Sequence, residues 1–148
     1  MIFISFILDG IISNYFDYLV PLSIITSISV LSYYMEDNIL LKEILIAGIL
    51  YDVVYTNTII LNALVFYVLY IVTIFYNKKQ DKNLINLIIL NNILIFFYLA
   101  ITYLILSFYQ VININIKDLL IYLLNCFIFN TIYIIFLYYL FHKKKKYA

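Results

Sequence analysis

Reactive and structurally special residues are scarce in this 148-residue chain, which has one cysteine, one histidine, one proline, two glycines and no tryptophan. A single cysteine, Cys126, excludes a disulfide within the chain and a cysteine-ligated zinc site. The only histidine, His142, stands beside four lysines, so a hydrolytic triad cannot be assembled. Gly10 and Gly48 are too few glycines for either common phosphate-binding loop. We therefore expect a non-enzyme with no cofactor and no metal.

Charged residues are also scarce, at 11% of the chain against 67% hydrophobic residues. An ordinary soluble domain has roughly 25% charged residues. This composition predicts an all-α integral membrane protein. We expect the first segment, MIFISFILDGIISNYF, to be retained, since it lacks a basic leader region and an A-x-A cleavage site and contains Asp9. All nine basic residues are lysine, a usage that an AT-rich genome imposes and that carries no functional information.

Uncharged intervals between the charge clusters predict six transmembrane helices in a single membrane domain, residues 1–148. A bilayer core of about 30 Å asks for roughly 20 apolar residues per helix. Five spans are the alternative, because the first and third intervals are short. The segment 111–116, VININI, alternates apolar residues with asparagine and favours a short extended or interfacial piece. The six predicted helices cover residues 2–15, 18–34, 39–55, 59–76, 84–108 and 119–141.

The distribution of lysines predicts the orientation, since cytoplasmic segments carry the excess of basic residues. Residues 77–83 and 142–148 are predicted to be cytoplasmic, and with six spans the N-terminus is cytoplasmic too. Lysines near the surface also attract anionic lipid, at about 1 kcal/mol each. Lys117 is the one lysine predicted outside. The lysines predicted inside are Lys42, Lys78, Lys79, Lys82, Lys143, Lys144, Lys145 and Lys146, and all of these except Lys42 form the predicted membrane-surface set.

A polar face on the first helix consists of Ser5, Asp9 and Ser13, which follow one another at intervals of four residues beside Gly10. An ionisable side chain at mid-bilayer costs roughly 2.5 to 3.5 kcal/mol on insertion scales, so it is usually turned inward and paired. This face predicts close helix packing, or else a surface that binds a partner or lines a ligand site. A proton relay through Asp9 and Asp52 is a further alternative.

The second polar group lies around the turn between the third and fourth helices. Gly48 and Asp52 are one helical turn apart, which predicts a close helix contact beside a buried carboxylate. Thr56, Asn57 and Thr58 are candidate caps for the first amides of the fourth helix. Asn62, one turn into that helix, is expected to form a hydrogen bond with Asp52 across a tight hairpin.

The same stretch contains the motif GILYD at residues 48–52, followed by LNAL at 61–64 and Phe66. This pattern resembles the MreD family of rod shape-determining proteins, in which a G-x-x-x-D helix end is followed by G-L-N-A-L and an apolar helix. Chain length and Pro21, which enters the second apolar segment, are also similar. Two departures stand out, since the family's glycine is Ile60 here and its common loop arginines are replaced by Glu36, Asp37 and Lys42.

The resemblance implies a non-catalytic scaffold subunit of the cell-elongation machinery in the bacterial cytoplasmic membrane. Such a subunit binds the single-span protein MreC and supports lateral peptidoglycan synthesis with the actin-like MreB and the RodA synthase complex. A nucleic-acid partner is not expected.

The family's fold is considered similar to the six-helix substrate-binding subunits of energy-coupling-factor vitamin transporters, which supplies the alternative function. Those subunits dock their coupling partner through an A-x-x-x-A face on the first helix, where this chain has Ser5, Asp9 and Ser13. Their pockets often use tryptophan or arginine, and both are absent here. A small export or toxin-type membrane protein is a third possibility.

Overall fold

A computed structural model shows a bundle of six α-helices and describes residues 1–15, 22–34, 37–56, 60–81, 83–108 and 116–146. These ranges contain no β-strand, so the predicted all-α fold is confirmed for the part of the chain that is described. A π-helical turn, Asp52–Thr56, continues the third helix. Helices α1 to α6 are Ile2–Tyr15, Ser23–Leu31, Asp37–Tyr51, Leu61–Asn77, Leu84–Phe108 and Ile116–Lys146.

The observed helix bounds match the prediction for α1 and α5 and differ for the others. Predicted helix 18–34 differs from α2, which is Ser23–Leu31, at Leu22 and at residues 32–34, while residues 18–21 lie outside the described part of the chain. Predicted helix 39–55 runs past the change from α-helix to π-helix at Asp52. The sixth helix begins earlier and ends later than predicted, since it starts at Ile116 and includes lysines, which are good helix formers. Of the predicted interfacial segment 111–116, only Ile116 lies within the described residues.

Within the described ranges, two helical segments are long and apolar enough to cross a membrane by themselves, Leu84–Ile105 in α5 and Lys117–Phe141 in α6. Helices α1 and α4 are apolar but shorter. The nine residues of α2 extend only about 14 Å, less than the thickness of a bilayer core. The number of spans therefore stays a prediction.

Helices that follow one another in the chain run in opposite directions. In the α1–α2 pair, Asp9 bonds to Ser23 while Ser5 bonds to Ser27, so the two helices are antiparallel. The ends of α2, α4 and α6 come together, because Asn77 donates to the Ser32 hydroxyl at 2.8 Å and Tyr34 stacks on Phe141.

This arrangement gives the bundle two distinct ends. The end where α2, α4 and α6 finish is called the lysine end, since Lys78, Lys79 and the backbone of residues 143–146 lie there. The opposite end, where α2 and α4 begin, is called the cap end. Lys42 lies in the half of α3 nearer the lysine end, whereas Lys117 is near the cap end.

The centre of the bundle is α2, whose nine residues are all buried and which contacts each of the other five helices. Its hydroxyl side chains are small, and small residues let helices approach closely in lipid. The Ser27 hydroxyl contacts that of Ser5 at 2.5 Å, and Thr26 donates to the side-chain oxygen of Asn130 at 2.7 Å. The Ser5 hydroxyl also contacts that of Tyr133 at 2.9 Å, which ties α1, α2 and α6 together.

Candidate functional site: two carboxylate caps

The carboxylate of Asp52 lies at the N-terminus of α4 and accepts hydrogen bonds from two backbone N–H groups. The N–H of Asn62 donates to its two oxygens at 2.9 and 3.0 Å, and the N–H of Ala63 donates at 3.3 Å. The side-chain amide of Asn62 adds a bond at 2.9 Å. Ile60, which precedes α4 directly, has no side-chain capping bond. Asp52 therefore caps α4 from the preceding helix, and we call Asp52, Asn62 and Ala63 the Asp52 cap.

Burial explains why this position holds an aspartate side chain. Asp52 is 1% exposed, so water does not reach the amides that it bonds. The first N–H groups of a helix have no partner within the helix, and a buried unsatisfied donor costs about 1–3 kcal/mol. The N-terminus also carries a partial positive charge that favours an anion. A carboxylate satisfies both requirements at once.

The Asp52 cap extends into α5 through the side chain of Asn62. The hydroxyl of Tyr98 donates to the side-chain oxygen of Asn62 at 2.7 Å. The Asn62 amide also donates to the Thr56 hydroxyl at 3.0 Å, and that hydroxyl lies 3.4 Å from Asp52 Oδ1. Asn62 therefore links the π-helical turn, α4 and α5.

Gly48 provides the close approach that brings Asp52 to the start of α4. It lies one turn before Asp52 and packs directly on Ala63, so a Cβ added at Gly48 would collide with the Cα and N of Ala63. Because those are backbone atoms, they cannot move aside by a side-chain rotation. The short distance between α3 and α4 therefore requires glycine at this position.

Ile60 adopts a left-handed backbone conformation, with φ of 68°, and its side chain is 54% exposed. For residues other than glycine this conformation costs roughly 1–2 kcal/mol. Ile60→Gly is therefore expected to raise the free energy of unfolding slightly, since the strain it relieves exceeds the roughly 0.4–1 kcal/mol lost to the greater flexibility of the unfolded chain. The measurement is thermal unfolding in detergent, followed by the reaction of the single buried cysteine, Cys126, with a thiol reagent.

The matched control for Ile60→Gly is Leu64→Gly, since Leu64 is exposed to a similar degree but lies within α4. Glycine inside a helix costs about 1 kcal/mol, so this variant is expected to unfold at a lower temperature. If both glycine variants destabilise the chain equally, the left-handed conformation at Ile60 is not strained.

A second carboxylate, Asp9, lies at the N-terminus of α2. The N–H and the hydroxyl of Ser23 donate to Asp9 Oδ1 at 2.8 and 2.6 Å, and the N–H of Ile24 approaches Oδ2 at 3.4 Å. The Ser23 hydroxyl also contacts the carbonyl oxygen of Ser5 at 2.9 Å. We call Asp9, Ser23 and Ile24 the Asp9 cap. Its position shows that Asp9 caps a buried helix end.

The structure places most of the predicted site residues in these two caps or directly beside them. Ser5 and Asp9 are buried between α1 and α2, and Gly48, Asp52 and Asn62 are buried between α3 and α4. The expected Asp52–Asn62 hydrogen bond is present.

Other predicted residues lie elsewhere or outside the described part of the chain. Ser13 is half-buried and donates to the carbonyl oxygen of Gly10 at 3.1 Å. The hydroxyl of Thr56, a candidate cap for α4, contacts Asp52 and accepts a bond from the side-chain amide of Asn62, whereas the N–H groups of Asn62 and Ala63 donate to Asp52. Lys78 and Lys79 are exposed. Outside the described residues lie Asn57, Thr58 and Lys82, and so do the side chains of Lys143, Lys144, Lys145 and Lys146.

Sequence reasoning missed Ser23 and Tyr98. Ser23 follows Pro21 and Leu22 within a predicted span, so nothing local marks it as the start of a helix. Tyr98 carries a clearer signal, because it stands in the middle of a long apolar helix, away from the membrane surfaces that tyrosines favour. A tyrosine hydroxyl at such a depth usually has a hydrogen-bond partner, which here is Asn62.

The geometry of the two caps supports a structural role for both carboxylates. Each accepts bonds from backbone N–H groups, which are fixed donors and cannot pass a proton along a relay. Among the described residues, no three His, Cys, Asp or Glu side chains are placed to hold a metal ion. Stable positioning of α2 and α4 is what this arrangement achieves.

No protein-family model matches the chain, and neither a curated protein nor a solved structure matches it.

Proposed function

We propose that this chain is a non-catalytic, multi-pass scaffold of the bacterial cytoplasmic membrane that serves the cell-elongation machinery by binding a single-span MreC-like protein. The observation that carries the proposal concerns the residues of the MreD resemblance. Gly48, Asp52, Asn62 and Ala63 come from separate parts of that motif, and they pack on one another as a single unit. Ile60 stands where the family pattern has glycine, and its left-handed backbone conformation is one that glycine adopts most readily.

The exposed surface supports a membrane location. Large contiguous apolar patches are unusual on soluble monomers. Here, by contrast, large hydrophobic side chains are exposed along α6, which is one of the two helices long enough to span, and also along the shorter α1. Lipid is the environment that suits such a surface. Examples are Ile4, Ile7 and Ile11 in α1 and Leu124, Ile128 and Ile132 in α6.

The lysine end is the proposed cytoplasmic side. The alternating helix directions place Lys78, Lys79 and the last turn of α6 at the same end of the bundle. The positive-inside rule then favours a cytoplasmic C-terminus and a cap end that faces outward. Anionic lipid of the inner leaflet is the expected partner of these lysines.

Single-cysteine labelling tests this orientation in a Cys126→Ala background. Asn14 is exposed on the last turn of α1 at the cap end, and Gln80 is exposed at the lysine end. An impermeant thiol reagent is expected to label Asn14→Cys in intact cells, and Gln80→Cys only after permeabilisation. The reverse pattern would mean that the orientation is inverted. Labelling of both cysteines in intact cells would show that the two ends of the bundle do not lie on opposite sides of the membrane.

The scaffold proposal is favoured over the transporter-subunit alternative by the packing of α1. A docking face must be available to a coupling partner, but Ser5 and Asp9 are buried and bond to α2. The backbone N–H groups at the starts of α2 and α4 likewise already donate to carboxyl groups of this chain, Asp9 and Asp52. In transporters, by contrast, buried helix N-termini point at anionic groups of the substrate.

Co-purification and cell shape test the function. The tagged chain, extracted in mild detergent from its native membrane, is expected to recover an MreC-like single-span protein, and its depletion is expected to turn rod-shaped cells round. Leu64→Ile, at an exposed position of α4, is the control, and this variant should keep both the co-purifying single-span protein and the rod shape. Recovery of an ATPase-bearing coupling module or a bound vitamin, with unchanged cell shape, would establish the transporter reading instead.

A further inference from the structure

The hydrogen bonds of Asp9 repeat those of Asp52 donor by donor. In each cap, one residue donates both its backbone N–H and its side chain to the carboxylate, and the next residue adds a second backbone N–H. Ser23 and Ile24 do this for Asp9. Asn62 and Ala63 do it for Asp52.

The surroundings of the two carboxylates also correspond. One turn before each carboxylate is a small residue that touches the start of the next helix. The carbonyl oxygen of Ser5 contacts the Ser23 hydroxyl, and Gly48 packs against Ala63.

The residue directly before each capped helix adopts a left-handed conformation. This residue is Leu22 before α2, with φ of 51°, and Ile60 before α4, with φ of 68°. Among the described residues other than glycine, these two are the only ones with positive φ. Neither has a side-chain capping bond, so both helices depend on a distant carboxylate.

The two hairpins lie side by side in the same direction. Phe6 contacts the ring of Tyr51, and one turn further along both segments Gly10 faces Tyr55. The Tyr55 hydroxyl donates to the carbonyl oxygen of Phe6 at 3.0 Å, which joins the hairpins near their caps. Parallel repeats of this kind are a known way of building membrane proteins.

We infer that α1–α2 and α3–α4 are two copies of one structural unit, in which Asp9 is the counterpart of Asp52 and the positioning residue for the central helix α2. The sequence hides this relation because the segments SFILD and GILYD share only a small residue and an aspartate. The spacing from carboxylate to first donor also differs, at 14 and 10 residues. The inference does not depend on the proposed function.

Hydrogen exchange on the full chain in detergent tests the correspondence. Asp9→Asn is expected to speed amide exchange at the start of α2 by about tenfold or more, since asparagine replaces one of the two acceptor oxygens by an NH2 donor and leaves a buried backbone N–H without its partner. The start of α4 should be unaffected. Asp52→Asn should give the reciprocal pattern, and Asn14→Ala, which removes an exposed polar group from α1, should change neither.

A milder variant keeps the test decisive if Asp9→Asn does not accumulate. Ser23→Ala removes one donor but leaves both backbone donors of the Asp9 cap, so a smaller increase confined to α2 is expected. Exchange that rises equally at both helix starts would show general destabilisation and overturn the inference. Unchanged exchange at α2 in both the Asp9 and the Ser23 variants would overturn it as well.

Discussion

Asp52→Leu is expected to lower the free energy of unfolding by about 3 kcal/mol or more, because a buried donor that loses its acceptor costs roughly 1–3 kcal/mol. The substitution leaves the N–H groups of Asn62 and Ala63 without their shared acceptor. It also removes one partner of the Asn62 side-chain amide. These groups are buried, so water cannot replace the carboxylate.

Membrane insertion of Asp52→Leu should respond in the opposite direction. On insertion scales an aspartate costs about 2.5–3.5 kcal/mol at the helix centre and less toward a helix end, so leucine at this position just after α3 makes the segment somewhat easier to insert. We therefore expect at least as much membrane-integrated protein after alkaline extraction, together with a lower unfolding temperature in detergent. Cys126 reports the unfolding, since it is the only cysteine and is 0% exposed.

Asp81→Leu is the control that makes the same chemical change at an exposed position between α4 and α5. Its unfolding temperature should stay close to that of the unmodified chain. If Asp52→Leu unfolds at the same temperature as Asp81→Leu, the Asp52 cap does not stabilise the fold.

The parts of the fold that the sequence predicted well are those set by the length of uncharged intervals. Helix α5 is flanked by Asn83 and Gln110, and α1 is followed by Asp17, so the helix ends on those sides coincide with changes in hydropathy. The Asp52–Asn62 contact was predictable too, because the turn between their helices is short enough to force them together.

The central position of α2 could not be predicted in the same way. In a soluble protein an apolar stripe marks the buried face of a helix, but helices in lipid are apolar on every side. What distinguishes α2 is its density of small hydroxyl residues, which permit close packing around it. Ser23, Thr26, Ser27 and Ser29 all lie in this helix and are all buried.

The capping of α2 and α4 by the backbone-bonded side chains of Asp9 and Asp52 was not predicted, for a related reason. Local capping rules look for an acceptor directly before the helix, and this search pointed to Thr56, Asn57 and Thr58 for α4. The acceptor found in the structure belongs to the preceding segment and reaches the helix only because the hairpin is tightly packed. For α2 it lies 14 residues before its first donor. Such pairs become visible only once the helix packing is known.

Gly48→Ala separates the tight packing of α3 on α4 from local helix propensity, because the two affect the free energy of unfolding in opposite directions. Alanine inside a helix is about 1 kcal/mol more favourable than glycine. Overpacking of a tight contact costs typically 1–3 kcal/mol, and here the new methyl group would strike the backbone of Ala63. We therefore expect a net loss of stability in the Cys126 assay, together with faster amide exchange at the start of α4.

Two further variants define the cause of that loss. At Gly10 the added methyl group would meet only the end of the Tyr55 side chain, which can rotate away, so Gly10→Ala should cost less than Gly48→Ala. Ala63→Gly should not rescue Gly48→Ala, since the nearest atoms are the Cα and N of Ala63 rather than its methyl group. A Gly48→Ala chain as stable as the unmodified one would mean that α3 and α4 have room between them, and the close approach that aligns Asp52 with α4 would be wrong.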